Sequence, residues 1–182
     1  TADLKIRPQL TVIDTSGSAE PDDEGVERLA AAIKQSKNIA TFNGINLKDQ
    51  REGKLSKLEL PKGRQGSATI SRTEASVLAG LVPLNQALRV VDARGSCIDG
   101  KVAELLAAAI LANPGVTRCE PIDMAALRAN KLDELTVPRA AKDDEAVGQV
   151  ELLVIAGLLP EATGLRTLDI SSVAAGDAAL GA

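Results

Sequence analysis

Two cysteines, Cys97 and Cys119, and no histidine set the first limits on the chemistry this chain can do. A serine or cysteine nucleophile needs a base within reach, and imidazole is the usual one. No Ser-His or Cys-His pair can be built within this chain. Two thiols without imidazole do not complete a tetrahedral zinc site, and two cysteines make no disulfide framework. Both thiols are expected to be semi-buried, in or beside strands. The stretch Gly95-Ser-Cys-Ile-Asp-Gly100-Lys101-Val102 approaches the phosphate-loop pattern GxxxxGK[ST] but lacks the final hydroxyl that would hold Mg²⁺. Asp14-Thr15-Ser16-Gly17 has the Asp-Thr of a catalytic carboxylate turn, with its glycine displaced by one place. Carboxylates remain available for acid/base work, but none stands out from the pattern that surrounds it. No catalytic, cofactor or metal site is expected, and the chain reads as not an enzyme.

That surrounding pattern is an internal repeat. Ile39 to Leu60 corresponds to Val116 to Val137 at an offset of 77 residues, with Ile45 on Ile122, Leu47 on Met124, Arg51 on Arg128 and Leu55 on Leu132. Leu78-Ala79-Gly80-Leu81 falls on Ile155-Ala156-Gly157-Leu158 and Asp92 on Asp169 at the same offset. The repeat also accounts for the two chemical near-misses, because it places both glycines of the phosphate-loop-like stretch at turns. Residues 1–182 are read as one domain, with large units at about 10–87 and 88–164 and a partial third at 165–182.

The smaller unit is LxxLxLxxN. Seven copies start at residues 10, 39, 55, 88, 116, 132 and 165, and in the second and fifth the third apolar place is taken by Gly44 and Pro121. Between them lie stretches with apolar residues at i, i+3, i+4 and i+7, the mark of amphipathic helices: 25–37, 73–81, 101–111 and 145–158. Pro83 and Pro160 are placed to end two of these helices. Spacings of 16 residues leave only a tight loop or a single turn at 48–54 and 125–131. Helices are about 10 Å wide and strands about 4.8 Å apart. A parallel sheet backed by helices must therefore curve, with strands on the concave side.

These motifs, with the helices GVERLAAAI and VAELLAAAI, resemble the leucine-rich repeat superfamily, and within it the ribonuclease-inhibitor-like class, over roughly residues 10–182. The segment LAGLLPEATGLRTLDIS is similar to leucine-rich proteins of algae and other protists. The resemblance implies an α/β leucine-rich repeat solenoid, a curved horseshoe segment with about seven parallel strands on the concave face and helices on the convex face. It also implies protein binding through the concave surface or its rims, and no single activity.

In a strand, alternate residues share a face, so the residues between the leucines are the candidate contact surface. Position five holds Asp14, Asn43, Glu59, Asp92, Glu120, Thr136 and Asp169, an acidic stripe suited to a partner with a basic surface. Flanking positions add Ser16, Arg94 and Ser171 on one side and Lys57, Arg118, Glu134 and Thr167 on the other. Net charge is −4, and Phe42 is the only aromatic residue. A basic nucleic-acid footprint and stacking aromatics are both missing, so no nucleic acid partner is expected. No stretch approaches the roughly 18 apolar residues of a membrane span. Neither end carries a polar cap, so a longer natural protein, or neighbours covering both ends, is expected. The expected function is a protein-protein interaction module inside the cell, in the cytoplasm, with an organelle left open. The alternatives are a structural subunit of a large assembly, or a regulator such as an enzyme inhibitor or GTPase activator.

Overall fold

Helix positions follow from apolar spacing and from residues able to cap. In a computed structural model that describes residues 9–15, 18–19, 21–62, 70–96, 98, 100–139, 146–171 and 173, α1 spans Asp23–Gln35 and buries Val26, Ala30 and Ile33. Its N-terminus is closed by Asp22, whose Oδ1 accepts the Gly25 N–H at 2.9 Å. Two single turns, α2 (Leu47–Arg51) and α5 (Met124–Arg128), fill the short connections and are capped by Asn46 and Asp123. Helix α3 (Arg72–Leu81) opens on a reciprocal cap: Ser71 Oγ accepts the Glu74 N–H at 3.2 Å, and Glu74 Oε2 accepts the Ser71 N–H at 2.7 Å. Pro83 lies in the 3₁₀ turn Val82–Leu84 that follows it. Helices α4 (Gly100–Ala112) and α6 (Gln149–Leu158) complete the set. The long helices pack in the order α1–α3–α4–α6.

The strands are β1 (Val12–Ile13), β2 (Thr41–Phe42), β3 (Ile45–Asn46), β4 (Lys57–Glu59), β5 (Val90–Asp92), β6 (Arg118–Cys119), β7 (Ile122–Asp123), β8 (Glu134–Thr136) and β9 (Thr167–Asp169). They do not form the expected horseshoe of about seven parallel strands. Among the described residues they make three separate sheets, ordered β1-β2-β3, β4-β5-β6-β7 and β8-β9. Pairing is parallel within β1/β2, β4/β5/β6 and β8/β9, but β2/β3 and β6/β7 are antiparallel. The protein is thus a small α/β fold of short, partly antiparallel sheets rather than a leucine-rich solenoid.

The cause lies at Gly44 and Pro121. Asn43 and Gly44 both adopt left-handed backbone, with φ 46° and 81°. Two successive positive φ values reverse the chain in two residues, so Ile45 folds back onto Phe42. Pro121, after a cis bond from Glu120, sits in the matching reversal, and Ile122 pairs with Cys119. Each hairpin leads at once into a helical turn. Strands β3 and β7 therefore become sheet edges, and β4 and β8 start new sheets.

The core divides nearly where the first sheet ends. A smaller cluster gathers Ala30, Ile33, Ile39, Phe42, Leu47, Val77 and Leu81, with the single aromatic ring fully buried in it. A larger one runs from Leu58 and Leu60 through Leu88, Val91, Leu106, Ile110, Cys119 and Met124 to Val154 and Leu158. Buried side-chain amides tie the helix ends to the strands. Asn113 Nδ2 donates to Val82 O and Asn85 O at 2.6 and 3.0 Å, and its Oδ1 accepts the Gly115 N–H at 2.8 Å. Asn85 Nδ2 reaches Gln50 Oε1 and Leu55 O, each at 2.9 Å. Arg51 and Arg128 donate to the carbonyls of Ile39 and Val116 at 2.5 and 2.7 Å, satisfying backbone acceptors that burial would otherwise leave unpaired.

Candidate functional site: the charged face of the middle sheet

The middle sheet places Lys57, Glu59, Asp92, Arg94, Arg118 and Glu120 together. Register pairs Lys57 with Val90 and Glu59 with Asp92, and pairs Val90 with Arg118. The Glu120 N–H donates to Val91 O at 2.8 Å, which brings Glu120 alongside Asp92. Three carboxylates thus lie side by side across three strands, where like charges are unfavourable unless offset. Each is offset by a cation two residues away in its own chain segment. Lys57 Nζ donates to Glu59 Oε1. Arg94 holds Asp92 through Nε–Oδ1 at 2.9 Å and an Nη2–Oδ2 contact at 2.8 Å. Arg118 Nε lies 3.4 Å from Glu120 Oε2. Residues i and i+2 of extended chain share a face; Lys57 and Glu59 both lie in β4, whereas Arg94 follows β5 and Glu120 follows β6 in the adjoining turns.

The pairs are not equivalent. The Asp92 side chain is only 7% exposed against 65% for Glu59. Asp92 is therefore an internal acceptor for its arginine rather than a free anion on an acidic stripe. The two-pronged guanidinium contact holds its carboxyl below the usual range. The Lys57 ammonium is raised by its bond to Glu59. Exposed and adjustable charge resides on Lys57, Glu59 and Arg118, with Glu120 half-buried between.

The other expected contact residues fall into different sheets. Asn43 serves the first: its Oδ1 accepts the Thr15 N–H at 2.7 Å and its Nδ2 donates to Thr15 Oγ1 at 3.0 Å, with exposed Asp14 next to Thr15. Ser16 lies outside the described residues. Glu134, Thr136, Thr167 and Asp169 belong to the β8/β9 pair, all four exposed. There Thr136 Oγ1 donates to Glu134 Oε1 at 3.1 Å. The Ser171 N–H donates to Asp169 Oδ1 at 2.9 Å, and bonding from Ser171 lowers that carboxyl. The single stripe expected from the motif is therefore three short groups on three sheets.

Beneath the middle sheet lies a group that strand patterning does not find. Glu151, in the first turn of α6, is fully buried. Its Oε2 accepts the Gly148 N–H at 2.9 Å, while Oε1 has no hydrogen-bond partner. Burial pushes this carboxyl up to about 7; the Gly148 N–H and its own N–H oppose the shift, Asp92 adds to it and Arg94 offsets it. Cys119, also fully buried, has its thiol pushed well up by burial and then by Glu151, Asp92 and Glu120, so it stays a protonated, unreactive thiol. The signal for Glu151 was present: Gly148-Gln-Val-Glu151 lies 77 residues after the capping box Ser71-Arg-Thr-Glu74.

Both glycine amides of the phosphate-loop-like stretch are occupied. The Gly95 N–H donates to Ala146 O at 3.0 Å and the Gly100 N–H to Gln149 Oε1 at 2.7 Å; Cys97 lies outside the described residues. No helix among the described residues is long and apolar enough to cross a membrane. Compared with known proteins, the chain matches no family model, no curated protein and no solved structure.

Proposed function

We propose that this chain is a non-enzymatic protein-binding module that docks a partner on the β4–β5–β6 face. The observation that carries the reading is the juxtaposition of Glu59, Asp92 and Glu120 across three strands, each with its own cation. The face is close to neutral overall but strongly patterned, with Lys57 and Arg118 on one flank and Arg94 on the other. Such a surface suits a partner bearing both signs, its basic groups meeting Glu59 and Glu120 and its acidic groups meeting Lys57 and Arg118. Charge complementarity of this kind supplies specificity and encounter rate more than affinity. An intracellular setting fits a chain with two cysteines of which Cys119 is buried and unpaired. The test is affinity capture with the full-length protein, followed by cross-linking through Lys57. Glu59→Lys and Glu120→Lys are expected to abolish capture of a partner that wild type holds at low salt. Capture that survives both together rules out this face.

A second reading, a structural subunit of a large assembly, is favoured by a separate observation. The edge strands of the first and last sheets carry exposed apolar side chains, Val12 at 57% and, just after β9, Ile170 at 42%. Exposed apolar edges are where further strands or chains add. Cross-links confined to these edges and to Lys34 and Lys101 on the helices favour assembly.

A further inference from the structure

The start of α6, where Ala146 and Gln149 are hydrogen-bonded to the loop after β5, is capped by a carboxylic acid that is dry, with one oxygen unpaired, and close to other charges. Glu151 sits three residues after Gly148 and caps that residue's N–H. Its counterpart Glu74 works within a complete box, because Ser71 Oγ in turn accepts the Glu74 N–H. Gly148 has no hydroxyl to do this, and Glu151 Oε1 is left buried without a partner. The segment that Glu151 closes holds the loop carrying Arg94. The Gly95 N–H donates to Ala146 O, the Gly100 N–H donates to Gln149 Oε1, and Val147 is buried between them.

We propose that Glu151 is a protonation latch: as the neutral acid it stays inside and fastens residues 146–149 to the loop after β5, and as the carboxylate it leaves, freeing that loop and Arg94. A buried charge with one oxygen unpaired is unfavourable, whereas the neutral acid suffers far less in the same place. Burial already puts the group at about 7, so both forms are sampled near neutrality. Ionisable groups on the neighbouring elements strengthen the effect or are spoken for. Asp92 on β5 disfavours the carboxylate, and Arg94 partly offsets it from within its bidentate pair with Asp92. Cys119 on β6 is held as the neutral thiol. Lys101 and Glu104 on α4 are exposed, and Arg128 on α5 is bonded to the Val116 and Leu111 carbonyls.

The latch adds a pH response to the docking face and rests on that reading only for its use, since it can be observed without any partner. Amide exchange at Gly95 and Gly148 would be followed in the full chain at about pH 6 and pH 8, in wild type and in Glu151→Gln. In wild type both amides are expected to exchange faster at the higher pH by roughly tenfold more than in the glutamine variant, the rise in ionised Glu151 over that interval. Equal pH slopes in the two proteins overturn the proposal. Should Glu151→Gln not fold, a carboxyl-carbon NMR titration of wild type decides the matter. A Glu151 midpoint near neutrality shared by the Gly95 and Gly148 amide shifts supports the latch, and a Glu151 titration that leaves those amides unmoved overturns it.

Discussion

Replacing Glu151 by glutamine is expected to flatten the dependence of stability on pH between about pH 5 and pH 8. In the folded chain the carboxyl is displaced from 4.5 to about 7, because burial penalises the charged form. An acid whose pKa is raised on folding is more protonated folded than unfolded, so stability falls as pH rises through this interval. The displacement corresponds to about 3 kcal/mol between the acid and alkaline limits, a large share of the roughly 5–15 kcal/mol that holds a domain together. Few other groups act in this window. The chain has no histidine. Asp92 and Asp169 have lowered carboxyls, so their contributions are lost only as pH falls through the acid range. Cys119 is raised above an already alkaline thiol value, so its effect begins at higher pH. Glutamine keeps an oxygen to accept the Gly148 N–H, but puts an amide donor where Oε1 has no partner. That mismatch costs about 1–3 kcal/mol at every pH, so the diagnostic is slope rather than height. Urea unfolding at half-unit pH steps is the assay. Wild type should lose about 2.5 kcal/mol from pH 5 to pH 8 and the variant little. Parallel curves would show that Glu151 is not a buried acid, and the reasoning from its burial would fail.

Four further outcomes test the rest of the structure, each read by urea unfolding. Asn113→Ala removes two buried hydrogen bonds and one partly buried one, leaving the Val82 and Asn85 carbonyls only the Asn85 and Leu88 N–H groups and the Gly115 N–H without its side-chain acceptor; a loss of about 2 kcal/mol is expected. Arg94→Ala leaves the buried Asp92 carboxylate without its two-pronged partner, for a loss of about 2–3 kcal/mol, which Arg94→Lys should only partly restore. Gly44→Ala meets nothing within 4 Å but forces alanine to φ 81°, so it isolates the backbone term at about 1 kcal/mol. Gly157→Ala and Gly80→Ala separate packing from propensity. A Cβ at either would lie 2.4 Å from a neighbour, Leu111 Cδ1 in the first case and the flexible Lys34 Cδ in the second; the first should cost about 1–3 kcal/mol and the second be near neutral, helped by a helix gain of about 1 kcal/mol.

The helices were legible because their signal is local. Val26, Ala30 and Ile33 recur at helical spacing and are the residues α1 buries, and the 16-residue spacings allow only the single turns found at α2 and α5. Strand positions were legible too, since each motif start is followed by a strand two residues on. The sheets were not. Whether consecutive strands join depends on what the chain does between them, and the leucine pattern treats Gly44 and Pro121 as weakened copies of an apolar place. Asn43-Gly44 is also a hairpin turn signal, and that meaning prevails in the structure. The motif hides it because Ile45 is apolar in either register. The charged face was half legible. Alternation places Glu59, Asp92 and Glu120 on one side, each two residues from a cation, but only the structure shows the ion pairs formed, and nothing in the pattern distinguishes exposed Glu59 from buried Asp92.

That difference in burial decides what the face can recognise. Removing Arg94 from the buried Asp92 is expected to cost about 2–3 kcal/mol, whereas exposed pairs are worth about 0–1 kcal/mol. A docking protein can therefore exchange the Lys57–Glu59 and Arg118–Glu120 contacts for its own at little cost, but cannot draw Arg94 from Asp92 without large compensation. In the proposed docking, the central pair is the frame that ties β5 to its loop, and the outer four side chains are the surface a partner would read. The framing pair is also the part that reaches inward to Glu151. A change at the buried acid that loosens the loop would move Arg94 and alter the middle of the face, leaving Lys57, Glu59, Arg118 and Glu120 on their strands. In the proposed docking and latch, recognition by outer charges and control from beneath would fall on different residues of one face, with Arg94 where they meet.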